Sequence, residues 1–368
     1  MQITANTTGM PAEVCVSTDK AGRDYCVCVV KGTFNIDQRG ETKLAEEQAP
    51  FVYADIHRGD PGTTSIQYEC DFAPFKPRVD IIVNGQAMSP DDKPLTELLV
   101  GVKVGNLLQK IIKVVGDRRW ENGFSGLRAS APKPFVSMPL VYERSFGGSD
   151  NSHPDPKQQG AELRNPVGAG YRKNSDAGAA EGLPLPNLEA PREPMRRWND
   201  RLSPVGFGTV GRGWQPRVRY AGTYDERWLN ERFPFLPEDF DERYFQSAPD
   251  DQQTDSPING EIVRCVNLSP AGFLQFGVPR CEFPVTYRFR DRDEEAKPAL
   301  DTLIIEPDQH RFFLVWRTRV PLGRKLNVLR EILVGHPAPK PVSAPSSAKP
   351  RFRSISEFIA WKNTKGRG

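Results

Sequence analysis

The chain has 368 residues, 38% of them hydrophobic, with 31 glycines and 34 prolines. That composition excludes both wholesale disorder and a low-complexity chain, while the excess of proline calls for many turns and short strands. Formal net charge is +3, but residues 340–368 carry seven bases against Glu357, which leaves the remaining body at −3. A mildly acidic body with a basic tail lacks the basic stripe of a nucleic-acid-binding fold.

No apolar run approaches the ~18 residues of a membrane helix. The start, Met1-Gln2-Ile3-Thr4-Ala5-Asn6, has no basic region followed by an apolar one, so a cytoplasmic protein is expected. Six cysteines without dense spacing read as reduced thiols. Cys26 and Cys28 fall on one face of a strand, where neighbours two apart do not readily bridge, and are expected to be buried.

The first strong element is DYCVCVVKGTFNI (24–36), rich in β-branched and aromatic residues and closed by a turn over 37–40, which predicts a strand. VDIIVNGQAM (79–88), TELLVGVKVGN (96–106) and LQKIIKVVGDRRW (108–120) predict a three-stranded meander buried on both faces. From about 121 to 260 the chain is crowded with proline and glycine, and 149–182 predicts a long surface excursion. Two short helices are expected within this middle. Thr223 caps the first over 223–233, with Trp228, Leu229 and Phe233 as its apolar stripe and Pro234 as its end. The second spans 237–245 and packs Phe240, Tyr244 and Phe245 inward.

Strand texture returns with EIVRCVNL, FLQFGV and CEFPVTYRFR. ALDTLIIEP and HRFFLVWRTRV, flanking Pro307-Asp308-Gln309, predict a hairpin, and LNVLREILVG (326–335) predicts the final strand. A Pro/Ser/Ala linker follows at 336–350. At 351–368 a basic tail carries a capping-box helix over 352–361, with Ile355, Phe358, Ile359 and Trp361 as docking candidates. So short a helix is marginal alone in water, and an extended linker of ~3.1 Å per residue gives it the reach to dock on a partner or on a neighbouring copy.

The fold expected is mainly β: sandwich-like antiparallel sheets with long Pro/Gly-rich loops and two or three short helices. One body spans 1–335, with β-rich parts at about 20–147 and 258–335 and a loop-rich middle at 148–257.

Gly206-Phe207-Gly208-Thr209-Val210-Gly211 has the letters of a dinucleotide fingerprint. Leu202-Ser203-Pro204 before it and Trp214-Gln215-Pro216 after it leave no strand and no crossover helix to hold a pyrophosphate. It reads as a compact loop. Histidines 57, 153, 310 and 336 are isolated, and Asp55, His57 and Asp60 surround a turn, so neither a metal site nor a cofactor is expected. No Gly-x-Ser-x-Gly elbow is present.

What remains is a set of charged and aromatic residues embedded in glycine and proline: Arg118, Trp120, Glu143, Arg144, Arg164, Asn165, Trp214, Arg217, Tyr224 and Asp225. Arginine forks beside carboxylates suit tying loops to a sheet, and Arg, Trp and Tyr also suit a partner-binding face. The carboxylates Asp117, Glu143, Glu162 and Asp225 keep a hydrolase or carbohydrate-active enzyme as an alternative.

At these residues the chain resembles a bacterial family of domains of unknown function encoded beside type VI secretion spike genes (VgrG, PAAR) and their effectors. The resemblance rests on an ordered set of segments that includes VVKGTFNI, GDPGTTSIQYECDFAPFKP, GDRRWE, MPLVYERSFGG, RNPVGAGY, GLPLPNLE, GFGTVGRGWQPR, AGTYDERWL, RFPFLPEDFD and LDTLIIEPD. It implies a non-enzymatic adaptor or chaperone that binds an effector and helps load it on the spike tip, and it carries no catalytic residues over.

Overall fold

Asp24–Ile36 forms a strand of 13 residues buried along nearly its whole length. Its alternate residues serve two cores: Cys26, Cys28 and Val30 face one, while Val27 and Val29 face another with Phe51 and Val315. Burial on both faces is why its stretch 26–30 reads as an unbroken apolar run. In the computed structural model, residues 2–124, 126–173, 178–323 and 328–336 are described. The linker from 337 and the tail with Ile355, Phe358, Ile359 and Trp361 lie outside the described residues.

The long strand belongs to a seven-stranded sheet in the order Gln253–Thr254, Val79–Val83, Ala299–Glu306, Arg311–Pro321, Asp24–Ile36, Ala12–Thr18, with Thr42–Leu44 also paired to Asp24–Ile36. The expected hairpin is its centre. Ala299–Glu306 and Arg311–Pro321 pair antiparallel around a turn in which His310 adopts a left-handed conformation. One pair in the sheet, Val79–Val83 with Ala299–Glu306, is parallel.

A five-stranded sheet has the order Leu188–Glu189, Leu108–Val115, Glu97–Val104, Ile262–Val266, Phe273–Gly277. A four-stranded one has the order Ile3–Asn6, Leu329–Val334, Val285–Phe289, Asp293–Ala296. Inward side chains of all three sheets, among them Val30, Ile305, Val100, Val263 and Tyr287, share one hydrophobic core.

Several expectations are corrected. The meander does not form, because Val79–Val83 joins the seven-stranded sheet and Gln86–Met88 pairs with Ser137–Pro139. Only Glu97–Val104 and Leu108–Val115 make a hairpin. These strands are buried on one face only, since Leu99 and Ile111 are exposed. Their neighbours Leu98, Val100 and Ile112 supply the core, and a run of two isoleucines hides that alternation. Strands from the two β-rich parts, 20–147 and 258–335, interleave in the seven- and five-stranded sheets. The sheets also include parallel pairs, Ile3–Asn6 with Leu329–Val334 among them.

The middle folds back on itself more than a surface excursion would. Trp120, Phe146, Ala180, Leu185 and Met195 build a second, smaller core, and Asp150, Glu162 and Asn165 are buried. The α-helix of the middle is Glu226–Glu231, capped by Asp225, whose carboxylate accepts from Trp228 N. Thr223 instead binds Asp239. Leu229 and Phe233 are exposed and form no inward stripe. In place of the second helix there is a short 3-10 turn, Glu242–Phe245.

Candidate functional site

The loops of the middle are fastened to the sheets through buried charges. Asp80, fully buried in the Val79–Val83 strand, sits 2.6 Å from Lys76 Nζ. Its carboxylate also accepts from Gln246 Nε2 at 2.7 Å, Ser247 N at 2.9 Å and Ala248 N at 3.1 Å. Burial alone would raise this carboxyl, but the Lys76 ammonium and the backbone donors hold it below the usual range. One strand residue thus fixes the segment 246–248.

Lys110 does the same from the neighbouring sheet. It points inward beside Phe207, and its Nζ donates to Gly206 O at 2.7 Å, Asp251 Oδ1 at 2.8 Å and Gln252 Oε1 at 2.8 Å. Burial pulls its ammonium below the ordinary range, opposed by Asp251. Such a lysine invites a catalytic reading. The geometry opposes it, because an ammonium has three N–H donors and all three are taken.

The segment 206–211 is a loop without helix. Its carbonyls turn inward, with Phe207 O accepting from Val83 N and Gln252 Nε2 and Val210 O from Arg217 Nη1. This arrangement holds the loop to the body, whereas a phosphate cradle presents N–H groups outward.

The residues singled out from sequence sort by burial. Arg118 Nη2 donates to Pro186 O and to Glu189 Oε1, each at 2.8 Å, and the pair is nearly buried at 10% and 1% exposure. Trp120 stands in the second core at 2% exposure, out of a partner's reach. Arg217, also buried, donates to Tyr244 O and Val210 O and pairs with Glu69. Asn165 Nδ2 donates to Tyr142 O and Phe146 O. A Cβ at Gly147 would fall on the Asn165 carbonyl, so the Phe146–Gly147 strand passes this loop only as glycine. Trp214 packs edge-on to Tyr142, their ring centroids 5.3 Å apart. Tyr224, by contrast, is 54% exposed and stacks edge-on against Trp228.

The four carboxylates of the enzymatic alternative are each engaged separately. Asp117 meets Arg144 and Asn187, and Glu143 accepts from the N–H and hydroxyl of Ser65. Glu162 is held bidentately by Arg164, which keeps its carboxyl below the usual range. Asp225 caps the helix. Asp55, beside His57, is taken by Arg212 and Cys70 N. Among the described residues there is no group of three or more metal-ligating side chains and no helix long and apolar enough to cross a membrane.

Among the described residues, clefts open onto the middle. One, of about 600 Å³, is lined by Lys110, Tyr142, Arg164, Arg217 and Asp251. Another, of about 670 Å³, is lined by Lys20, Arg23, Leu236, Phe240 and Asp241. Sequence reading missed Lys76, Asp80, Lys110 and Glu69, and also the buried pairs Lys31–Asp71 and Arg317–Asp301. The available signal was a charge set inside an apolar strand, as in VDIIV, VVKGTF and ALDTLIIE.

No curated protein and no solved structure matches the chain. Residues 21–317 match the bacterial family described as "Uncharacterized protein conserved in bacteria (DUF2169)", and with most of its length covered the chain belongs to that family.

Proposed function

We propose that the protein is a non-enzymatic adaptor or chaperone that binds a type VI secretion effector in the cytoplasm and helps load it onto the PAAR/VgrG spike tip. The reading draws on the ordered resemblance described above and on membership of the family. The observation that carries it is the engagement of Asp117, Glu143, Glu162 and Asp225 by four different sets of partners. Paired carboxylates sharing a cleft would favour glycosidase chemistry; carboxylates spent singly on loop anchorage favour a rigid recognition surface. On this reading the sheets, stacked in sandwich-like fashion, are the frame, and the middle is the part that meets the cargo.

The test is co-expression with the effector and tip protein of the same secretion cluster. The adaptor reading expects co-purification and a higher soluble yield of effector, with no change in the effector's covalent structure. Equal yield with and without this protein, and no co-purification, contradicts it.

A further inference from the structure

The segment that follows Gly222 holds a cluster of exposed aromatic side chains in one shape. Tyr224, Leu229, Phe233 and Phe235 are between 43% and 62% exposed. They are nevertheless fixed around Trp228, whose ring meets Tyr224 at 4.7 Å and Phe233 at 5.7 Å between centroids. The indole Nε1 of Trp228 donates to Phe235 O at 2.8 Å, and Asp225 caps its backbone. Rigid, exposed aromatics of this kind lose little conformational entropy on binding, which is what an interface anchor needs.

Along this segment carboxylates outnumber cations. From Gly222 to Glu242 there are seven carboxylates against Arg227 and Arg232. Most of the carboxylates have work within the fold: Asp225 caps the helix, Asp239 binds Thr223, Asp241 pairs with Arg243 and Glu231 with Arg227. Glu226 makes no ion pair among the described residues, and Glu238 has only an approach of 3.9 Å from Arg227. Both are exposed. Apolar rings rimmed by uncommitted carboxylates complement an apolar segment flanked by cations.

We infer that the ridge Tyr224–Trp228–Phe233, with Leu229 and Glu226 and Glu238 at its rim, is a docking surface for a Lys/Arg-rich amphipathic segment of a protein partner. The inference rests on the binding role proposed above and names its surface and the chemistry of its ligand. A rival surface exists on the outer face of the five-stranded sheet, where Ile111, Gly101, Val266 and Phe273 align across four strands. Nothing in its surroundings selects an occupant.

The test places the photo-crosslinker p-benzoylphenylalanine at Leu229 or, separately, at Ile111 of the full chain in its native host. Cross-linked peptides are then identified by mass spectrometry. The expected result is an adduct from position 229 to a partner segment that is both cationic and apolar, reduced at least fivefold by Glu226→Lys with Glu238→Lys. An adduct from position 111 alone overturns the assignment of the surface and leaves the binding role standing. An adduct from 229 to an acidic segment or to a second copy of this chain overturns the partner chemistry. No adduct from either position overturns both readings.

Discussion

Asp80 and Lys76 form an ion pair 2.6 Å long with side chains 0% and 5% exposed, and the same carboxylate anchors residues 246–248 of the loop-rich middle. A surface pair would contribute little. Removing one partner of a buried pair strands the other charge, so Asp80→Asn is expected to cost about 3–5 kcal/mol. Adding Lys76→Met should recover much of that loss. Urea unfolding of the single and double variants measures both, and a stable Asp80→Asn protein would show that the segment is held by something else.

The same group sets a pH dependence. Its folded carboxyl lies below the ordinary value, so its contribution is complete above about 3.9 and disappears as pH falls through the depressed value. Stability measured from pH 5 down to pH 2 should therefore fall less steeply for Asp80→Asn than for the wild type. Parallel curves would count against the pairing.

Arg118 and Arg164 give a contrast within one chemistry. The Arg118–Glu189 pair is nearly buried, whereas Arg164 is 42% exposed. Arg118→Ala should cost about 3–5 kcal/mol and Arg164→Ala about 1 kcal/mol. Melting temperatures in the reverse order would contradict this assignment of roles.

Cys26, Cys28 and Cys265 are buried with free thiols, and burial pushes each up to about 12. Since the thiolate is the reactive form, these three should stay silent to an aromatic disulfide reagent at pH 8. Cys15, Cys70 and Cys281 are the thiols left to react in the native protein. Release of all six equivalents before unfolding would refute the burial.

The strands were legible where the pattern was local. Asp24–Ile36, the Ala299–Glu306 hairpin and the strands between Ile262 and Phe289 all announced themselves through β-branched and aromatic runs. Pairing was not legible, because Val79–Val83 finds its partner more than two hundred residues away, at Ala299–Glu306. Ile3–Asn6 is too short to announce itself, whereas Ala12–Thr18, with two valines and a threonine, carried a strand signal that sequence reading missed. In the site, Arg118 and Arg217 could be picked out for their arginine-in-glycine setting, yet their partners Glu189 and Glu69 could not, since nothing in one dimension marks which carboxylate a fork will meet. Leu229 and Phe233 had the spacing of an inward stripe, and only the fold shows that they face solvent.

Exposure makes a separate claim about those two residues. Leu229→Asp with Phe233→Asp should change stability by only about 0.5 kcal/mol, as surface substitutions do, and should leave the circular dichroism unaltered. A large loss would mean the ridge supports the fold and is not held out for a partner.

The central claim, that this chain binds and stabilises a secretion effector without transforming it, is tested most directly by deleting its gene and following the effector in cells and in the medium. The account predicts that soluble effector falls and secretion stops, with both restored by the wild-type chain and by a Glu143→Gln, Glu162→Gln variant that lacks two of the four carboxylates of the enzymatic alternative. Unchanged effector level and secretion in the deletion strain, or rescue that requires those carboxylates, would contradict it.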